Sequence, residues 1–318
     1  MPLIRIFKSL RDRVSGFSAT ADDALQRPLL SRDEINQLMV KAGRMKSNPR
    51  RSSNRFAVAG EQPSTVLGTG LDFAGRREYV AGDDPRNIDW RASARSQQTL
   101  LRNHYSELNS PACIVIDRRP GMAYATRKRL KVTQALRVGI SLGMQMLRGG
   151  HHLACLLLDN PDYWQPPDNS PARFRQTIEK AAAACYPDDR LPAGDWKRTA
   201  EVIKKHLAQG SQLVIISDFL QLNDIEMKAL RQLSQQYALT LIQILDQSEL
   251  QLTRVSPVVL NFQEENEQRL DDTQRIVELN RLLQRHWQRQ HNQFKKMSCR
   301  FLRLQNDVEL DVLRKQLL

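Results

Sequence analysis

Four short apolar segments, each separated from the next by an amphipathic stretch, constrain the fold of this 318-residue chain most strongly. They read ACIVID, HLACLLLD, QLVIISD and YALTLIQILD, and they begin at residues 112, 152, 212 and 237. Strands that are apolar on both faces are typical of a parallel sheet that helices cover on both sides. The pattern therefore predicts an α/β fold with a Rossmann-like, doubly wound and mostly parallel sheet over residues 111–318.

The residues before this sheet differ in character. Residues 60–110 combine glycines, aromatics and alternating charges, which predicts a small irregular β subdomain inserted before the sheet. Residues 1–59 begin with an amphipathic basic segment and contain a short helical pattern after Ser31, where Glu34 completes a capping box. Residues 41–55 then carry six basic side chains and no acidic one, which is typical of a solvated basic linker.

Bulk composition limits the location and the partners of the chain. Lysine and arginine exceed aspartate and glutamate by 13, an excess that attracts nucleic acid, anionic lipid or an acidic protein. No apolar stretch approaches the roughly 18 residues of a membrane-spanning helix, although the amphipathic N-terminus leaves peripheral membrane contact open. The four cysteines lie far apart, which favours a reducing compartment, and we therefore expect a cytoplasmic protein.

Acidic and basic side chains alternate most densely over residues 68–95, which we call the signature. Opposite charges this close form pairs, and any that are buried need a partner because an unpaired ion away from water costs several kcal/mol. Phe73, Tyr79 and Trp90 are expected to supply apolar surface that excludes water from these charges. The pattern suits an internal ion network and a partner-binding surface equally well.

The signature strongly resembles the bacterial family known as domain of unknown function 58. The resemblance rests on the following positions: Gly68, Gly70, Asp72, Phe73, Arg77, Tyr79, Gly82, Asp83, Asp84, Arg86, Ile88, Asp89, Trp90, Ser93, Ala94 and Arg95. It implies a von Willebrand factor type A-like domain over residues 111–318, behind a β-rich signature subdomain at 60–110 and an N-terminal helical and linker region at 1–59. It also implies partnership with a MoxR-type AAA+ ATPase and with other von Willebrand factor type A proteins.

The resemblance makes the charged and aromatic positions of the signature candidates for partner binding. The candidate residues are Arg76, Arg77, Tyr79, Asp83, Asp84, Arg86, Asp89, Trp90, Ser93 and Arg95. A long polar segment at residues 271–296 predicts a helix whose basic exposed face is a second candidate surface for an acidic partner.

A von Willebrand factor type A domain usually binds Mg²⁺ or Mn²⁺ through an Asp-x-Ser-x-Ser loop, a threonine and a later aspartate. Here Asp117 is present, but Arg119 and Gly121 replace the two serines. The remaining candidate positions for this degenerate site are Asp195 or Thr199, Ser217 and Asp218. We expect weak Mg²⁺ or Mn²⁺ binding or none, and no resident cofactor.

Two features of the chain support the expectation of weak metal binding and give Asp117 a role that needs no metal ion. Arg118 and Arg119 would repel a divalent cation, and they are free to pair with Asp117 or Asp218 instead. An aspartate at the end of a buried strand can also accept backbone N–H groups from the following turn, a purely structural role.

These observations favour a protein-interaction adaptor that works with the ATPase in protein assembly or maturation, and not an enzyme. No P-loop, dinucleotide motif, nucleophile elbow or HExxH motif occurs in the sequence. Nucleic-acid binding through residues 41–55 is an alternative, which the 6% aromatic content and the lack of a recognised motif disfavour. A metal-dependent hydrolase using Asp117, Asp195 and Asp218 is a weaker alternative.

Overall fold

The computed structural model describes residues 28–43, 67–105 and 111–309, with short gaps in the last two ranges. These gaps are residues 80–84, 86–87, 97, 124, 127–128, 160–161, 184–195, 221, 253–258, 262–266 and 270–272. The described residues belong to two compact units, one between Ala57 and Asn109 and the other containing the large sheet. No helix within these ranges is long and apolar enough to cross a membrane.

A six-stranded, mostly parallel sheet forms the centre of the larger unit. Its strands are β3 (Ala112–Asp117), β4 (Leu153–Leu158), β5 (Tyr163–Asp168), β6 (Gln212–Ser217), β7 (Ala238–Leu245) and β10 (Cys299–Gln305). They lie in the order β10-β7-β6-β3-β4-β5, and only β5 runs antiparallel to its neighbour. The predicted α/β class and the four predicted parallel strands are confirmed.

Helices cover both faces of this sheet. The described α-helices of this unit are α1 (Arg32–Gly43), α3 (Lys131–Arg148), α4 (Pro171–Ala181), α5 (Trp196–His206), α6 (Asp224–Gln236), α7 (Gln247–Leu250) and α8 (Thr273–Lys295). Alternate side chains of β3 enter two different cores: Ile114 and Ile116 pack with α1, α3 and α4, whereas Val115 packs with α5, α6 and Phe294 of α8. This two-sided burial explains why the strand is apolar throughout.

Local signals in the sequence set the starts of several helices. Before α1, Glu34 N–H donates to Ser31 Oγ (3.2 Å) and Ser31 N–H donates to Glu34 Oε2 (2.8 Å), so the predicted capping box is confirmed. Asn223 and Glu226 form the same reciprocal pair at the start of α6.

Strand β5 lies in the proline-rich segment at residues 161–171, whose prolines predict an irregular excursion between two elements of the sheet. The strand forms because it is at the edge of the sheet, where a proline without an N–H group removes no bond from a further neighbour. The expectation of a loop here was wrong for residues 163–168.

The smaller unit contains an antiparallel pair of β1 (Leu67–Glu78) and β2 (Leu100–Tyr105), joined through the short helix α2 (Trp90–Ser93). The pairing shifts register twice between Gly68 and Gly75, which makes β1 irregular. A separate antiparallel pair, β8 (Val259–Asn261) and β9 (Glu267–Arg269), precedes α8.

Candidate functional site

Acidic residues end or follow three adjacent strands at the carboxyl edge of the large sheet. Asp117 ends β3, Asp218 follows β6 and Asp246 follows β7. All three side chains are buried. In open parallel sheets ligands bind at this edge, so these carboxylates define the candidate site.

The first carboxylate is held by an arginine two residues later. Arg119 donates from Nε to Asp117 Oδ1 (2.8 Å) and from Nη2 to Asp117 Oδ2 (2.6 Å), a bidentate ion pair. The guanidinium also lies over the ring of Trp196, 4.5 Å from its centroid. Burial opposes the charge of Arg119, but attraction by Asp117, together with Asp218 and Glu226, outweighs it and holds the pKa of the guanidinium above its ordinary value.

Two further donors complete the environment of Asp117. The backbone N–H of Arg119 donates to Oδ1 (3.0 Å), and the hydroxyl of Ser217 donates to Oδ2 (2.6 Å). A carboxylate offers about four lone-pair positions, and protein donors occupy all four here. Divalent cations need such oxygen lone pairs, so the residues present do not fit a metal at Asp117.

The two candidate arginines have different roles. Arg119 pairs with Asp117, as expected, and its backbone N–H also makes the predicted turn contact. Arg118 instead donates to Asp159 Oδ2 (2.6 Å) and to the carbonyl of Ala183 (3.0 Å). An expectation that Arg118 pairs with Asp117 or Asp218 is therefore wrong, because its side chain is directed toward the loop after β4.

A buried lysine neutralises the second carboxylate. Lys131, the first residue of α3, is 0% exposed and donates to Asp218 Oδ2 (2.8 Å) and to Glu249 Oε1 (2.7 Å). Burial opposes the charge of Lys131, but attraction by Asp218 and Glu249 exceeds this effect and raises the pKa of the ammonium. Burial raises the pKa of Glu249 to about 7, against the attraction of Lys131.

The third carboxylate anchors two loops and caps the short helix α7. Asp246 accepts the N–H and hydroxyl of Thr126, the N–H (2.9 Å) and hydroxyl (2.8 Å) of Ser248, and the amide of Asn306 (2.8 Å). Burial raises the pKa of Asp246, but the bonds from Thr126 and Ser248 outweigh burial and lower it. Asp246 thus has a structural role in joining β7 to the loops before α3 and after β10.

Strain is present in the loop after β6. Phe219 adopts φ of 50°, a conformation that a bulky side chain rarely takes, while its ring is buried between Trp196 and Phe294. Two glutamines hold its backbone. Gln243 donates to the Asp218 carbonyl (2.8 Å), and Gln290 donates to the Phe219 carbonyl (2.7 Å). The loop that carries Ser217 and Asp218 is therefore fixed from β7 and α8.

The predicted metal positions are only partly brought together. Asp117 and Ser217 are in direct contact, whereas Asp218 pairs with Lys131. Thr199 is buried in α5, and Asp195 lies outside the described residues. Among the described residues, no group of three or more His, Cys, Asp or Glu side chains is arranged to hold a metal ion.

In the signature, two polar residues build the turn around α2. The buried Asp89 caps the helix by accepting the N–H of Ala92 (3.1 Å), and Ser93 Oγ accepts the N–H of Leu100 on β2 (2.8 Å). Trp90 lies between them and is 69% exposed. The expectation that Trp90 shields the signature charges from water is wrong, because Asp89 and Ser93 orient this turn so that the indole faces outward.

The structure describes less of the other candidate residues of the signature. Arg76 and Arg77 lie on β1, where the backbone alone is described, and Tyr79 donates its N–H to the Thr99 carbonyl (2.9 Å). Arg95 is exposed. Asp83, Asp84 and Arg86 lie outside the described residues.

Sequence reasoning missed Lys131, Glu249 and Asp246. Asp246 had a signal, because it follows an apolar strand just as Asp117 and Asp218 do. Lys131 and Glu249 had none, since they are 118 positions apart and a lysine at a helix start resembles an ordinary surface residue.

Comparison with known proteins identifies the family. The model for the protein family of unknown function DUF58 matches residues 75–293, which is more than half of the chain. The chain belongs to the DUF58 family. Uncharacterized proteins of Mycobacterium tuberculosis and Mycobacterium bovis are similar to this DUF58 protein, at 23% identity over 202 residues. The match spans 63% of this chain and 63% of the length of these relatives.

One solved structure also shows a partial likeness to this DUF58 protein. It is the crystal structure of an aerotolerance-related membrane protein from Bacteroides fragilis, with 11% identity and a TM-score of 0.37. The match covers 65% of the DUF58 chain and 97% of the other chain.

Calorimetric titration of the DUF58 protein with Mg²⁺ and Mn²⁺ is expected to show weak binding or none at Asp117. The lone pairs of this carboxylate are occupied, and the charge of Arg119 repels a second cation. Arg119→Ala removes one of the two donors to each oxygen and a neighbouring positive charge, so this variant is expected to bind Mn²⁺ more tightly. Tight binding by the natural chain that Asp117→Ala abolishes would contradict the closed site.

Proposed function

We propose that this DUF58 protein is a non-enzymatic adaptor of the von Willebrand factor type A class, with a degenerate metal site. It acts in the cytoplasm beside a MoxR-type AAA+ ATPase, and with other von Willebrand factor type A proteins, in the assembly or maturation of client proteins. The signature supplies the contact surface, and the large domain supplies a rigid body. The single observation that carries this proposal is the exposed Trp90.

Trp90 has the properties of a binding anchor. Of the four large hydrophobic side chains that are exposed in the described ranges, it is the largest and the most exposed. Tryptophan is enriched among the residues that dominate protein–protein binding energy, because it buries a large rigid surface with few rotatable bonds. Asp89 and Ser93 fix the turn beneath it, so little ordering is needed when a partner binds.

The carboxyl edge of the sheet supports a role other than catalysis. The carboxylates of Asp117 and Asp218 are each paired with a buried or half-buried cation of the same chain. A general base or a metal ligand needs an accessible lone pair, which these pairs occupy. This argues against the hydrolase alternative built on Asp117 and Asp218.

The test is binding of the purified chain to a purified MoxR-type AAA+ ATPase from the same organism. Trp90→Ala is expected to weaken binding about tenfold or more, equivalent to about 1.4 kcal/mol, because it removes the anchor without touching the capping bonds. Biolayer interferometry at physiological salt measures the affinity. Circular dichroism checks that the variant is folded.

The matched control is Ile225→Ala, which truncates a side chain of 65% exposure at the start of α6. We expect this variant to keep full affinity. Absence of binding by the natural chain, or equal affinity of natural chain and Trp90→Ala, contradicts the proposal. Retention of nucleic acid in a gel-shift assay at the same salt would favour the nucleic-acid alternative instead.

A further inference from the structure

Helix α8 carries a row of arginines along its solvent side, which we call the basic ridge: Arg281, Arg285 and Arg289. All three are exposed. Residues four apart on a helix lie one above the other, about 6 Å apart along the axis. The three guanidinium groups therefore extend from one continuous line on the surface.

Within the described part of the chain, the basic ridge is not neutralised: none of its three side chains makes an ion pair or a hydrogen bond there. The helix contains a single acidic residue, Glu278, and two further cations, Arg275 and Lys295. Like charges four apart on a helix repel and destabilise it, so solvent-exposed helices usually alternate the signs of their charges. An anionic partner that binds this surface would relieve the repulsion among the arginines.

The opposite side of α8 holds the helix in place. Leu279, Leu283 and Trp287 are buried, and Trp287 Nε1 donates to the Glu249 carbonyl (2.8 Å). The helix is therefore anchored without the basic ridge. Contact between the ridge and a partner needs no change in the packing of α8.

We propose that the basic ridge binds an acidic helical segment of a protein partner. Val277 lies one turn before Arg281 in the same row and is 45% exposed, which adds an apolar contact that an amphipathic acidic helix can cover. A helix with glutamates four residues apart repeats at the same 6 Å spacing as the arginines. Arginine favours carboxylates because its planar group donates two parallel bonds.

Other occupants fit the basic ridge less well. A second copy of the chain carries a net charge of +13 and repels the first. Both large aromatic side chains of α8, Trp287 and Phe294, are buried, so the helix offers no exposed tryptophan or phenylalanine ring on which nucleic-acid bases can stack. Binding of an acidic helix by the basic ridge is independent of the partner contact proposed for Trp90.

The experiment measures fluorescence anisotropy of a labelled helical peptide of about 20 residues with glutamate at every fourth position and one leucine. The full chain is expected to bind it at low ionic strength. The triple variant Arg281→Gln, Arg285→Gln, Arg289→Gln is expected to bind about tenfold more weakly. The difference should shrink when the ionic strength rises, because salt screens exposed charges.

The control removes the same charge elsewhere, with Lys205→Gln, Lys228→Gln and Arg231→Gln on the exposed sides of α5 and α6. Retained affinity in this control supports the basic ridge. Equal weakening in both triple variants shows a general charge effect and overturns the proposal. Failure of the natural chain to bind the peptide, or tighter binding of a DNA duplex of similar charge through the ridge, overturns it as well. Circular dichroism confirms that each variant is folded.

Discussion

Replacing Lys131 with methionine is expected to lower the free energy of unfolding by about 3–5 kcal/mol. The ammonium of Lys131 is 0% exposed and lies between the carboxylates of Asp218 and Glu249. Methionine fills a similar volume, so the loss comes from leaving the buried Asp218 and Glu249 without their cation. Urea denaturation followed by tryptophan fluorescence measures the change.

The control for this prediction is Arg175→Met, which removes a half-exposed pair with Glu179 on α4. Its expected cost is below about 1 kcal/mol, because water screens exposed ion pairs. In a second control, Lys131→Met is combined with Asp218→Asn and Glu249→Gln. Neutralising the orphaned carboxylates is expected to restore part of the lost stability. A cost for Lys131→Met as small as that of Arg175→Met would contradict the buried role of Lys131.

The sheet and most helices of this DUF58 protein follow from the sequence because local patterns decide them. β3 and β4 are buried along their whole length, and this burial is visible as uninterrupted apolar residues. Helix α6 begins at the residue where its capping box places it. β5 was not predicted because a strand tolerates prolines at the edge of a sheet, and the local sequence does not show that β5 lies at the edge.

The site could be predicted only where its residues are close in sequence or end a strand. Arg119 is two residues from Asp117, and the pair between them was foreseeable from the missing serines. The contact between Lys131 and Glu249 depends on the approach of the start of α3 to α7, which no local pattern encodes. The exposure of Trp90 was missed for the opposite reason, since a tryptophan is usually buried unless it binds something.

The buried charges of this cluster also predict how stability depends on pH. Burial raises the pKa of Glu249 from 4.5 to about 7, so the folded chain holds this proton over a range in which the unfolded chain releases it. The stabilising contribution of the neutral form is complete below the unfolded pKa and is lost as the pH rises toward 7. Lys131 keeps its charge throughout, because its pKa is raised.

The free energy of unfolding of the natural chain is expected to decrease between about pH 5 and pH 8. Glu249→Gln is expected to make this decrease smaller by on the order of 2–3 kcal/mol. The lowered pKa values of His286 and His291 also change stability with pH, but they act equally in both chains and cancel in the difference. Urea denaturation of both chains across this range measures the two slopes, whatever the cost of the substitution at any single pH. Parallel curves for the natural chain and the variant would show that Glu249 is ionised in the folded protein over the whole range.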